Sequence, residues 1–283
     1  MRFKYGVQAL ARLLNVSLSG YYAWHNRPES QRQKEEGRLA LAILAAHNRT
    51  RQTYGPERLQ SELAEHGVIV GVHRIKRIRK QLGLHCKQRK KFKATTDSRH
   101  NFPVADNLLG QDFKVTAPCQ VWLADLTYVP TSEGWLYLAG LKDLFTGEIV
   151  GYAMDKRMTR DLVCRSLFRA VKAKRPAHGL IHHSDRGSQY CSKKYEKLIL
   201  QFGMVASMSR KGNCYDNAPM ESFWGTLKNE LVHHNRYTTR QEAERDIKEY
   251  IEIFYNRQRR QARLDFLSPA SYERRYYEKS VER

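Results

Sequence analysis

Val121-Trp-Leu-Ala-Asp-Leu-Thr-Tyr-Val129 reads as a strand. Its side chains alternate between two faces, and β-branched and aromatic residues dominate. Val121, Leu123, Asp125 and Val129 share one face. Downstream, Thr131-Ser-Glu-Gly134 is a turn and Trp135 to Leu141 a second strand. Phe145-Thr-Gly147 turns into a third, Glu148 to Met154. Thr159 can cap a helix with Val163, Leu167, Ala170 and Val171 inward. A short strand, Gly179 to His182, ends at His183-Ser-Asp185-Arg-Gly-Ser-Gln-Tyr190. Tyr195, Leu198, Ile199 and Phe202 mark the next helix, and Met204 to Met208 the last strand. Asn213-Cys-Tyr-Asp-Asn-Ala-Pro-Met-Glu-Ser-Phe-Trp-Gly-Thr-Leu-Lys228 then runs from a polar loop into a helix. Pro219 suits its first turn, and Asn217 can cap it.

The order β-β-β-α-β-α-β-α predicts an α/β fold, a mixed five-stranded sheet flanked by helices. That order matches the RNase H-like fold and is assigned to residues 116–236. All-α segments precede it. Residues 1–30 read as a helix-turn-helix-like pair, with Val7, Leu10, Ala11 and Leu14 as its stripe and Ser17 as a cap. An ordinary helical hairpin fits this stretch equally well. Residues 27–36 are polar and linker-like. Residues 37–86 form a second helix-turn-helix candidate. Its last helix, about 71–82, carries Arg74, Lys76, Arg77, Arg79 and Lys80 outward and Ile75, Ile78 and Leu82 inward. Residues 87–115, with Lys90 and Lys91, are a basic linker suited to phosphate contact without base reading. Residues 237–283 form a helical basic extension. Thr239 and Glu242 make a capping box there, and Ala243, Ile247, Tyr250, Ile251 and Phe254 form the buried face.

Fifty Lys and Arg stand against 29 Asp and Glu, a net charge of +21, in 283 residues. Such an excess repels itself and is useful beside a polyanion. Sixteen Tyr, 10 Phe and 4 Trp strengthen the reading toward nucleic acid. The five cysteines are scattered without a Cys-x-x-Cys pair, so neither a zinc site nor a disulfide framework is indicated. Arg2, Lys4 and Arg12 interrupt any apolar N-terminal run, and no stretch approaches a membrane span. A cytoplasmic, nucleoid-associated protein is expected.

Three carboxylates stand out by placement. Asp125 lies mid-strand, Asp185 just beyond a strand end, and Glu221 in a first helical turn. Taken singly, each has a structural explanation: an edge charge, a turn partner, a helix-dipole contact. Together they form a set of hard oxygen donors suited to Mg²⁺, with Mn²⁺ able to substitute. Two such ions, roughly 4 Å apart, serve phosphoryl transfer. Asp125 is the expected bridge, with Asp185 and Glu221 holding one ion each. Lys228, Arg210 and Lys211 are expected to contact DNA, as are Arg74, Lys76 and Arg77. The Arg210 to Asn217 loop is expected to move until DNA and metal arrive. His183, beside Asp185, reads as a satisfied structural histidine.

Thirty-five residues separate Asp185 from Glu221, and Lys228 follows seven later. This spacing resembles the retroviral integrase superfamily of DDE recombinases. Trp122-x-x-Asp125-x-Thr127-Tyr128, His183 to Tyr190, and Ser209-Arg-Lys-Gly-Asn213 through Asp216-Asn-Ala218 to Glu221-Ser222 resemble bacterial insertion-sequence transposases. The pattern is similar in particular to the second-frame product of the insertion-sequence-three family. Val16 to Trp24, Tyr54-Gly55 to Leu84, and Tyr255-Asn256 through Leu264 to Pro269 extend the resemblance over nearly the whole chain. It implies a transposase that exposes a 3′-OH at an element's terminal inverted repeats and joins it to target DNA. It also implies a first-frame DNA-binding partner, often fused by frameshifting, and action as a homo-oligomer on double-stranded DNA. The His-His-Cys-Cys module of retroviral integrases is absent, and Gln261 stands where a histidine is common in the family. A nuclease that cuts without joining and a DNA-binding regulator are the competing readings.

Overall fold

The computed structural model describes residues 6–87, 104–210 and 214–281. Lys90, Lys91 and Lys211 lie outside the described residues, as does much of the expected linker. The N-terminal pair is α1 (Val7–Leu13) and α2 (Leu18–His25). Ser17 caps α2 as expected, accepting the Gly20 N–H at 3.0 Å. A helical trio follows: α3 (Gln31–Arg49), α4 (Pro56–Glu65) and α5 (Val72–Gln81). The expected linker at 27–36 is therefore largely helix. Ser30 accepts the Gln33 N–H, and the Gln33 side chain accepts the Ser30 N–H at 2.8 Å. This reciprocal cap starts α3, and polarity there marks a solvated first turn. Leu39, Ile43, Tyr54, Leu59, Leu63, Ile75 and Ile78 fill the trio's interior. Leu82, expected inward, is exposed beyond the end of α5.

The strands are β1 (Val121–Thr131), β2 (Gly134–Asp143), β3 (Ile149–Asp155), β4 (Ile181–Ser184) and β5 (Val205–Met208). They form one five-stranded sheet in the order β3-β2-β1-β4-β5. The first three pair antiparallel, while β4 and β5 join parallel to β1 and to each other. This is the expected RNase H-like arrangement. The fourth strand starts later than expected because Gly179, at φ +90°, still belongs to the turn.

Alternation along β1 separates two cores. Trp122 and Ala124 face α6 (Arg160–Lys174) and α7 (Lys193–Gln201), which contribute Leu162, Leu167, Tyr195 and Ile199. Thr159 caps α6 as expected. Leu123 and Val129 face the other way, toward α8 (Ala218–Glu230) and α9 (Arg240–Glu249). At the start of α9, Thr239 accepts the Glu242 N–H, but the Glu242 carboxylate accepts from Thr238 rather than Thr239. The expected capping box is displaced by one residue.

The helix of α9 widens into a π-helical segment, Tyr250–Gln258, before α10 (Pro269–Val281). Its Asn256 brackets Ile149 on the edge strand, with both side-chain bonds at 3.0 Å. The core on the α8 side is continuous with the α3–α5 trio. Tyr54 donates to the Gln258 carbonyl at 3.1 Å, and Arg51 pairs with Glu249. The helical trio is thus packed onto the C-terminal segment.

Candidate active site

Parallel pairing matches Ala124 with Ser184. Asp125 and Asp185 each follow by one residue, so Asp185, just past the end of β4, comes out beside Asp125 in the middle of β1. The end of a parallel strand such as β4 is where α/β sheets gather ligands. Asp125 accepts the Leu126 N–H on Oδ1 at 2.8 Å and the Trp224 indole N–H on Oδ2 at 3.1 Å. Asp185 accepts the Gly187 N–H at 2.9 Å, which holds the turn after β4.

Glu221 is carried in the first turn of α8, whose start is tied to β1. Asn217 does not cap the helix as expected. Its side-chain NH₂ donates instead to the Ala124 carbonyl at 3.1 Å, tying the helix start to β1 beside Asp125. Pro219 opens the helix, and the buried Lys142 donates to its carbonyl at 2.8 Å. Glu221 itself is exposed in the first turn.

The three carboxylates feel one another. Burial pushes Asp125 well above the usual carboxylate range, and the charges of Asp185 and Glu221 push it further. Glu221, though exposed at the surface, has protein around part of its carboxyl and is raised by that partial desolvation and then by Asp185. Like charges gathered on hard oxygen donors suit a divalent cation, so the donor chemistry fits one. Among the described residues, however, no three His, Cys, Asp or Glu side chains close around a common metal position.

Lys228 lies two turns along α8 from Glu221, but it is buried rather than presented at the surface. Its ammonium sits 5.1 Å from the centre of the Tyr128 ring. Burial pulls it down to about 8, against the attraction of Asp125.

Arg210 is exposed and ion-paired with the fully buried Asp216 at 2.9 Å. Asp216 also accepts from Asn107 and Gln111, at 2.9 and 3.0 Å. Arg210 holds it well below the usual carboxylate range. The described ends of the loop expected to move are therefore joined by an ion pair. Sequence reasoning gave Asp216 no role; only its place in the transposase-like run of residues drew notice to it.

His183 is fully buried between the Ser207 and Ser209 hydroxyls, at 2.8 and 3.1 Å, and is a structural histidine as expected. Arg74 and Lys76 are exposed on α5, and Arg77 pairs with Glu36.

Models described as "Integrase core domain" match residues 115–214 and 221–276, and one described as "HTH-like domain" matches 33–92. An uncharacterized 31 kDa protein of insertion element IS600 from Shigella sonnei is 60% identical, over 95% of this chain and 99% of that protein. Transposase InsF for insertion sequence IS3A from Escherichia coli K12 is 38% identical, over 95% of this chain and 94% of its own length. The chain belongs to the IS3 transposase family. Its integrase core thus begins just before β1 and continues, in the second match, from Glu221 into α10. Among solved structures, the HTLV-2 integrase catalytic core domain in complex with magnesium is 13% identical, with a TM-score of 0.45 over 56% of this chain and 99% of that one. The BIV integrase catalytic core domain is 14% identical, with a TM-score of 0.45 over 58% and 99%.

Proposed function

We propose that this transposase-family chain cleaves DNA at the terminal inverted repeats of its element and joins the resulting 3′-OH to target DNA by transesterification. The observation that carries the reading is the β1–β4 register, which sets Asp185 beside Asp125, together with the ties of Asn217 and Trp224 to β1 that bring the helix of Glu221 to the same place. Asp125, Asp185 and Glu221 would hold two Mg²⁺ ions, or Mn²⁺ in their place. Bound there, the ions would supply charge stabilisation at the attacking and leaving oxygens. Asp125 would be shared between them, being central in the sheet and next to Asp185. Glu221, exposed on its helix, would complete the set by moving inward.

The remaining residues bind and orient DNA. Lys228 would keep a positive charge behind the carboxylates, and Arg210 and Lys211 would meet phosphate at the loop. Arg74, Lys76 and Arg77 on α5, together with Lys90 and Lys91, would supply sequence-independent grip. The chain would act as a homo-oligomer on double-stranded DNA, with a first-frame DNA-binding product as a separate or fused partner, in the cytoplasm at the nucleoid.

Asp125→Asn tests the reading. DNA binding in a mobility-shift assay should persist, while cleavage of a duplex carrying the element's ends should disappear. Full cleavage by this variant would overturn the assignment. Pre-cleaved ends then separate transposase from nuclease, since failure to join them would leave only cutting.

A further inference from the structure

Register places Gly140 of β2 directly opposite Asp125. Leu136 and Leu138, on the same face of β2, present full side chains to the core. Gly140 presents none, and α8 uses the space. A Cβ built on Gly140 would lie 2.8 Å from Trp224 Cη2 and 2.9 Å from Met220 Cε. Both distances are too short for any residue larger than glycine unless the Trp224 ring and the Met220 side chain give way. The indole therefore rests over a strand position that lacks a side chain, and from there its Nε1 reaches Asp125 Oδ2 at 3.1 Å. Trp224 is 4% exposed, so ring and hydrogen bond are both shielded from water.

The other oxygen of Asp125 is taken by the Leu126 N–H. One donor on each oxygen fixes the rotation of the carboxylate about its last bond and sets which lone pairs remain open. An indole N–H only donates, so it orients the group without competing for a cation. Lys142, two residues along the same face from Gly140, holds the first turn of α8 through the Pro219 carbonyl. Strand β2 thus seats the helix at two points, and one of them aims a donor at Asp125.

The geometry points to Trp224 as a positioning residue that orients Asp125 for cation binding, with Gly140 as the vacancy that admits it. This rests on the proposed role of Asp125. Partners that orient metal ligands typically govern affinity by 10–100-fold.

The test uses the full chain on duplex DNA carrying the element's ends. Mn²⁺ binding is measured by calorimetry, and cleavage is followed as a function of Mn²⁺ concentration. Trp224→Phe keeps an aromatic ring and removes the donor. Benzothienylalanine at position 224 replaces only the N–H, with sulfur, and preserves the bicyclic shape. Both should weaken Mn²⁺ binding about tenfold. The Mn²⁺ concentration for half-maximal cleavage should rise by the same factor. Maximal rate should fall less, and DNA affinity and melting temperature of the benzothienyl variant should match the unchanged chain. Gly140→Ala should shift the metal dependence in the same direction. Unchanged Mn²⁺ affinity in the benzothienyl variant would overturn the inference. Asp125→Asn separates the two levels. If it abolishes Mn²⁺ binding while the Trp224 variants bind normally, only the positioning role fails. If it binds and cleaves as before, or the unchanged chain binds no Mn²⁺, the assignment of Asp125 fails as well.

Discussion

Arg260 Nε lies 3.0 Å from Glu62 Oε2, joining residues 198 apart in the chain across the boundary between the helical trio and the C-terminal segment. Arg260 also donates to Ser61 and to the Phe266 carbonyl and pairs with Glu65, while its backbone N–H donates to Tyr54. Both Arg260 and Glu62 are 8% exposed. Glu62 keeps Arg49 at 3.0 Å when Arg260 is removed, so its charge is not stranded, and the loss is that of charged hydrogen bonds, about 1.5–3 kcal/mol. Arg260→Ala should lower unfolding stability by about that amount in urea titrations. An effect under ~0.5 kcal/mol, the range of ordinary surface substitutions, would mean that this ion pair does not hold the two parts together.

The same pair shows what the sequence could and could not reveal. The core strands were legible because period-two alternation is local, as in Val121 to Val129. Thr159 and Ser17 were legible as caps because a cap and its donor lie three residues apart. The basic run ending in Arg259 and Arg260 read only as charge. Arg259 is in fact committed to Glu230 at 2.7 Å and Arg260 to Glu62, and no local pattern announces a partner so distant. Asn217 failed as a cap for a related reason, since the Ala124 carbonyl offered its side chain a tertiary bond. The three carboxylates could be singled out by placement, but the neighbouring positions of Asp125 on β1 and Asp185 past β4 follow only from the β1–β4 register.

Fold stability should fall in mild acid, and His182 is one cause. Its ring is buried, bonded to the Tyr195 hydroxyl at 2.8 Å, and burial pulls its pKa down to about 3. An unfolded histidine titrates near 6.5. Between those values the unfolded chain binds a proton that the folded chain refuses. The contribution is complete above pH 6.5 and is lost as pH falls, at up to ~1.4 kcal/mol per unit. Comparing His182→Gln with the unchanged chain in urea at pH 7 and pH 5 checks this. The substitution should cost stability at both values and flatten the pH dependence, and an equally steep dependence would remove His182 as its source.

Gly151 on β3 is closed against α6. A Cβ there would meet the Ser166 carbonyl oxygen at 2.5 Å and Ala170 Cβ at 2.6 Å. The first of these is backbone, so a side-chain rotation cannot relieve it. Gly151→Ala should destabilise the core by about 1–3 kcal/mol through forced separation of strand and helix. Thermal unfolding reads the loss, and a neutral outcome would show that α6 can shift freely on the sheet.

DNA affinity should depend unequally on the cations of α5. Arg74 and Lys76 are exposed, whereas Arg77 already faces the Glu36 carboxylate. A cation that neutralises a phosphate releases a counterion, so the slope of log affinity against log salt changes by about 0.9 for each phosphate no longer neutralised. Arg74→Ala and Lys76→Ala should each reduce the slope by about one and weaken binding uniformly across DNA sequences. Arg77→Ala should do less, because Glu36 offsets part of its charge before DNA arrives. Titrations on nonspecific duplex at several salt concentrations measure all three. If the slopes for Arg74→Ala and Lys76→Ala equal that of the unchanged chain, α5 does not lie against the phosphate backbone. The grip would then have to come from other exposed cations, starting with Arg210.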